Sequence, residues 1–159
     1  MRGSLVNIGD TKRVDNIIPK ILMYPNATNK NNDLVERELS YKIVGVLFKT
    51  HKDRGRYCRE RQYADTVEQV LKEVGLKYQR EMPILVDGRK SNFVDFCIEG
   101  KIFLDLKSKS FITKEDYYQM QRYLVASNKE LGIIANFRQR MLKPKRVLNG
   151  KFKKDNSGH

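Results

Sequence analysis

The sequence predicts an α/β (α+β) fold, a single domain with a mixed central sheet of about four strands flanked by helices. Three observations predict it. Two stretches with apolar residues at helical spacing come first. Three apolar runs follow, separated by the turn dipeptides Asp87-Gly88 and Glu99-Gly100, which makes them an antiparallel meander. A last helical pattern then leads straight into the apolar run 131–137, the helix-to-strand step that adds a strand to a mixed sheet.

Composition bounds the setting. With 159 residues, 40% of them apolar, the chain can bury one sizeable core. Cys58 and Cys97 are too few for a disulfide framework and have no metal-ligand spacing with the two histidines, so a reducing, cytoplasmic compartment is expected. No apolar run approaches the roughly 20 residues that span a bilayer, and the N-terminus lacks the basic-then-apolar order of a signal peptide. The net charge of +13 points to a polyanionic partner, nucleic acid ahead of anionic lipid.

Residues 1–32 show no sustained period and carry Pro19, Pro25 and an Asn-rich patch, which reads as a flexible N-terminal arm with one short apolar patch at 17–24. The domain proper is expected over 33–148. Its first helix is predicted from Asn32 or Asp33, either of which can cap it, to about His51, with Val35, Leu39, Ile43, Val46 and Leu47 on one face. A second helix is predicted over 59–74 and stops at Gly75, which is suited to a left-handed C-terminal cap. Its apolar face reads Tyr63, Val67, Val70, Leu71, Val74, and Glu60 belongs to that same face. An acid in the first turn suits the helix dipole on its own account; here it also points toward whatever the apolar face packs on.

The strands at 77–86, 92–98 and 102–107 hold the chemistry. Asp95 interrupts Phe93-Val94-Asp95-Phe96, and Asp105 and Lys107 interrupt the run from Ile102. Residues two apart on a strand share a face, so Asp105 and Lys107 project together while Leu104 and Leu106 enter the opposite layer. If Asp95 joins that polar face, two carboxylates and an ammonium converge, which suits a hard divalent cation beside a phosphate. The simpler alternative is a solvated strand face with a cross-strand ion pair.

A third helix is predicted over 113–127 with Thr113 as its cap and Tyr117, Met120 and Leu124 as its core stripe; Gln119 and Tyr123, one turn apart, form an adjacent polar stripe. After the strand at 131–137, the stretch 138–154 carries Arg138, Arg140, Lys143, Lys145, Arg146, Lys151, Lys153 and Lys154 without an acid, more than half of the net charge of +13. Arg138, Arg140, Lys143, Lys145 and Arg146 are the expected backbone contacts to nucleic acid, and 149–159 is expected to be a basic, disordered tail.

The spacing Asp95-x9-Asp105-x-Lys107 resembles the PD-(D/E)xK nuclease superfamily. In this order, with Gln119-x-x-x-Tyr123 behind it, the chain resembles the restriction-endonuclease-like core and its exonuclease branches. The preceding part, from Leu39 through His51 and Gly55 to Glu60-x-x-Tyr63, resembles the GxxExxY protein family within that superfamily. Two positions depart from it: Tyr57 stands where the family has its signature glycine, and Asp105 where it more often has Glu. The resemblance implies a metal-dependent nuclease, DNA favoured. Mg²⁺ or Mn²⁺ would be held by Asp95, Asp105 and the carbonyl of Leu106, with Glu60 completing the site directly or through water. Lys107 would orient the attacking water, and Gln119 and Tyr123 would position the strand end or scissile phosphate. Two other classes fit the same residues: a non-catalytic nucleic-acid binder, and an interaction module whose basic tail meets an acidic protein.

Overall fold

The computed structural model describes residues 36–155. The expected N-terminal arm and the candidate caps Asn32 and Asp33 lie outside the described residues. Helices α1 (Arg37–Arg54) and α2 (Glu60–Glu73) come first. Strands β1 (Tyr78–Val86), β2 (Arg89–Ile98) and β3 (Ile102–Lys107) follow, then α3 (Lys114–Ser127), β4 (Leu131–Asn136) and β5 (Lys145–Leu148). The sheet order is β1-β2-β3-β4-β5, antiparallel except for the parallel β3–β4 pair.

The predicted turn chemistry is realised. Asp87, Gly88, Glu99 and Gly100 all have positive φ, the geometry that matches the twist of a two-residue hairpin turn. Gly75 is left-handed after α2, at φ +74°. Thr113 caps α3: its Oγ1 accepts from the Asp116 N–H at 3.3 Å, while the Thr113 N–H donates to Asp116 Oδ2 at 2.8 Å. Val74, expected on the apolar face of α2, is 42% exposed, because it falls at the cap where the chain leaves the helix.

The sheet has five strands, not about four. β4 is buried along its whole length, so an unpaired outer edge would leave its peptide groups unsatisfied. Residues 145–148 fill that edge, in a register from Leu131↔Leu148 to Ile134↔Lys145. Two of the cations expected to reach out to nucleic acid, Lys145 and Arg146, are therefore strand residues. Past β5, where the sequence suggests a disordered tail, Asn149 is buried. Its Nδ2 donates to the carbonyls of Leu124 (3.3 Å) and Lys129 (3.0 Å) and ties the segment to the C-terminal end of α3.

Two cores flank the sheet. One packs Ile43, Leu47, Tyr63 and Val67 of α1 and α2 against Leu104 and Leu106 of β3. The other packs Met120, Tyr123 and Leu124 of α3 against Phe103, Ile134 and Val147. Close contact of α3 with the sheet depends on Gly132, where an added Cβ would lie 2.5 Å from Met120 Sδ. Among the described residues no helix is long and apolar enough to cross a membrane.

Candidate active site

Strand alternation on β3 puts Asp105 and Lys107 on one face. Leu104 and Leu106 enter the α1–α2 core and Phe103 the α3 core, so Asp105 and Lys107 continue the α3 face beyond Phe103. There the apolar packing ends, and Lys107 Nζ lies 2.8 Å from Asp105 Oδ2. Asp95 reaches the same place from β2, where its Oδ2 accepts from the Leu106 N–H at 2.6 Å.

Asp95 gets there through a break in the sheet. The β2–β3 ladder runs only from Ile98↔Ile102 to Phe96↔Leu104. On the other side the β1–β2 register passes from Arg80↔Phe96 to Met82↔Val94, skipping the position of Glu81, whose φ is +51°. Across that break β2 turns over: Phe96 belongs to the α1–α2 core, whereas Val94 belongs to the α3 core. A non-glycine residue at positive φ is strained, and such strain gathers where a side chain must be re-aimed. Here the re-aimed side chain is Asp95. Its carboxylate satisfies a backbone N–H that lies beyond the end of the regular ladder.

The electrostatics are those of two acids forced together. Burial first, and then the neighbouring Asp105 charge, push Asp95 up to about 7, against the opposing pull of the Leu106 N–H and Lys107. For Lys107 burial works against the ammonium, but Asp105, then Asp116 and Glu60, outweigh it and raise its pKa. Asp116 Oδ1 lies 4.0 Å from Lys107 Nζ, and its other oxygen pairs with Lys109. The sequence reading did not single out Asp116; the available signal was its place three residues after the Thr113 cap, which turns its carboxylate back toward the strand end.

Glu60 arrives at the rim. It is exposed, and its Oε1 accepts from the Ser108 N–H at 3.3 Å, one residue beyond Lys107. Among the described residues no three His, Cys, Asp or Glu side chains stand close enough to hold a metal ion together. The structure thus brings together Asp95, Asp105 and Lys107, with Glu60 beside them rather than among them. Tyr123 belongs to the same field: it is 5% exposed, and burial and then the Asp105 charge raise its pKa while Lys107 opposes them. Gln119 is half-buried one turn earlier, and among the described residues no hydrogen bond joins it to the acids.

The loop after β3 is held by residues with no evident motif. Buried Asn136 clamps Lys109 from both sides, Nδ2 donating to its carbonyl at 2.7 Å and Oδ1 accepting from its N–H at 3.1 Å. Tyr63, expected on the apolar face of α2 and as the tyrosine of the Glu60-x-x-Tyr63 match, is fully buried and stacks on Phe137 at 4.2 Å. Its hydroxyl donates to the Gly55 carbonyl at 2.6 Å and accepts from the Cys58 N–H at 3.2 Å, fixing the turn that delivers Glu60.

The cations divide by position. β3 and β4 are parallel and end together at Lys107↔Asn136, so Arg138 and Arg140 leave β4 at the end of the sheet that holds the acids. β5 runs back the other way, which carries Lys151, Lys153 and Lys154 to the opposite end. Lys143 is exposed two residues before β5, on the side where Lys145 pairs with Ile134, and burial pulls Arg146 down to about 10.

A five-stranded mixed sheet between helices, with an acid pair and a lysine at the end of its central antiparallel hairpin, defines the restriction-endonuclease-like class of fold. The sequence model of the PD-(D/E)XK nuclease superfamily matches residues 37–147, and the chain belongs to that superfamily. No curated protein and no solved structure matches the chain.

Proposed function

We propose that the chain is a metal-dependent nuclease that hydrolyses phosphodiester bonds, with DNA as the favoured substrate. The observation that carries this reading is the convergence of Asp95, Asp105 and Lys107 at a break in the sheet. A structural ion pair needs one acid for one base; here a second, half-buried acid is pressed against the first and held up near 7.

The donor set fits Mg²⁺ or Mn²⁺. It is made only of oxygen, and small hard dications are held by one or two carboxylates while they keep several waters and bind substrate phosphate. Asp95 and Asp105 would hold the ion with the Leu106 carbonyl, and Glu60 would act through water from the rim. When bound, the ion supplies Lewis-acid polarisation at the scissile phosphate. Without it, the close approach of the two carboxyls favours a proton held on Asp95.

The chain's own groups do the rest. A water oxygen bonds to phosphorus, the ester P–O bond breaks, and the departing oxygen takes up a proton. Lys107 aims its ammonium at the attacking side and offsets the charge that builds on the phosphate. Tyr123 walls the site from the α3 side, Gln119 lies along the approach, and Arg138, Arg140 and Lys143 meet the backbone without reading sequence. The match to Glu60-x-x-Tyr63 supports a place in the GxxExxY branch, and the free thiols of Cys58 and Cys97 support a cytoplasmic setting.

One observation favours a second reading. Lys107 lies between Asp105 and Asp116, as a structural ion pair would have it, and a non-catalytic nucleic-acid binder needs no more. Linear, circular, single-stranded and duplex substrates incubated with Mg²⁺ or Mn²⁺ separate the two. The nuclease reading expects cleavage that disappears in Asp105→Ala and with chelator. Binding without cleavage in any of these conditions supports the binder.

A further inference from the structure

The turn before α2 carries an aromatic ring that stands out into solvent. Tyr57 is 75% exposed, the most exposed of the large apolar side chains described, and it stands where the resembling family has a glycine. Two guanidinium groups lie over the ring, Arg56 at 5.1 Å and Arg138 at 5.5 Å from its centroid. A ring enclosed on both faces would be buried, so its exposure shows that stacking surface remains open. The two arginines fix each other: Arg56 Nε donates to the Arg138 carbonyl at 2.9 Å and Arg138 Nε to the Arg56 carbonyl at 2.9 Å. Among the described residues neither has a carboxylate within ion-pair distance. Two like charges held together without an acid are an anion site.

This cluster adjoins the acids. Arg138 Nη2 donates to Ser108 Oγ at 3.3 Å, that hydroxyl donates to the Cys58 carbonyl at 2.9 Å, and the Ser108 N–H reaches Glu60. Ser108 is the residue after Lys107. An exposed aromatic ring beside fixed guanidinium groups is what an unpaired base and its flanking phosphates require, because every base offers a π-face and duplex bases are already stacked on each other.

We propose that Tyr57, Arg56 and Arg138 form a platform on which an unpaired base of the substrate stacks while the two guanidinium groups hold its phosphates. The cleft then takes strands with a single-stranded stretch or a frayed end at the point of cleavage. This rests on the nuclease reading for its substrate, but its test does not depend on cleavage.

The chain contains no tryptophan, so Tyr57→Trp introduces a single reporter. Titrated in chelator with a single-stranded oligonucleotide, the reporter's emission should be quenched by stacking; an abasic strand of the same length should leave it unquenched. Stacking is worth ~1–3 kcal/mol per base, so Tyr57→Ala should weaken single-strand binding by about 5- to 150-fold while Tyr57→Phe retains it. Binding of a hairpin-closed duplex should not change in Tyr57→Ala. This contrast in DNA or in RNA oligonucleotides supports the platform, and the tighter of the two names the backbone. Equal quenching by abasic and base-bearing strands, or unchanged single-strand affinity in Tyr57→Ala, overturns it. A chain that binds this way but never cuts sinks the nuclease reading alone; one that cuts while Tyr57→Ala binds normally sinks the platform alone.

Discussion

On the face of β3 turned toward α1 and α2, Leu104 and Leu106 are 0% and 1% exposed and meet Tyr63 and Val67 in an apolar core. On the other face, Asp105 and Lys107 alternate with those same leucines and crowd against Asp95. One strand therefore serves two purposes with period-two regularity. The first face is satisfied within the fold. The second holds a conflict, two acids for one nearby ammonium, and the sheet accommodates it by ending the β2–β3 ladder at Phe96↔Leu104, before Asp95. A fold keeps such a conflict where something outside the fold resolves it.

The contrast is sharpest between adjacent residues. Leu104→Ala should cost about 2–5 kcal/mol, since a buried leucine deleted from a packed core leaves a cavity. Asp105→Ala, one residue on, should cost far less or even stabilise the metal-free protein, because it relieves the repulsion on Asp95. Urea denaturation of the two variants measures the difference; equal losses would mean that both faces are structural.

Lys107→Ala comes next. Removing a preorganised donor from charge developing on the phosphate typically costs about 10²–10³ in rate, so cleavage with Mg²⁺ or Mn²⁺ should fall by that factor with the fold intact. Lys107→Arg should rescue little, because a planar guanidinium cannot take the place of a compact ammonium. Cleavage at the parent rate in Lys107→Ala would reduce the lysine to an ion-pair partner.

The two faces were not equally legible. Leu104, Leu106, Asp105 and Lys107 sort correctly from alternation alone, and the hairpin turns and the Thr113 cap follow from local chemistry that the chain carries at those positions. β5 was hidden because residues 145–148 are short and half basic; what makes them a strand is the bare edge of β4, a non-local cause. The bend at Glu81 has no sequence signal either, since glutamate has no preference for positive φ. That positive φ is why alternation alone does not fix the placement of Asp95. Asn136 holds the loop through contacts with a segment 27 residues away, which spacing along the chain does not encode, whereas Asp116 is signalled only by its place three residues after Thr113.

The pH dependence tests the conflict directly. A carboxyl raised to about 7 in the folded chain and titrating near 3.8 when unfolded binds more protons folded than unfolded in between. Its contribution to stability is therefore fully present below about 4 and is lost as pH rises to 7, by up to ~1.4 kcal/mol per pH unit. Asp95→Asn keeps an oxygen for the Leu106 N–H and removes the titration. The stability difference, variant minus parent, should grow in the variant's favour from pH 4 to pH 7 and then level off. A flat difference across that range, by chemical denaturation in chelator, would show that neither burial nor the Asp105 charge raises the Asp95 carboxyl.

The smallest expected effect concerns the cations, which the sheet separates as it separates the faces. Arg138 and Arg140 leave β4 beside Asn136, at the acid end, whereas Lys151, Lys153 and Lys154 follow β5 to the end where Leu131 pairs with Leu148. At ~3.3 Å per residue, the length of β4 puts about 15–20 Å between these ends, more than the ~8–10 Å over which charge is felt at ordinary salt. Each phosphate that the protein no longer neutralises lowers the salt slope of binding by ~0.9 on duplex and ~0.7 on single strands. Replacing Arg138 and Arg140 by Gln should therefore lower it by one to two such steps. Replacing the three lysines, with Asn149 kept in place to hold the end of α3, should lower it by less than one. If the lysine variant instead reduces the slope as much as the arginine variant does, the nucleic acid lies along the full length of the sheet, and its backbone is not held only at the end that carries the acids.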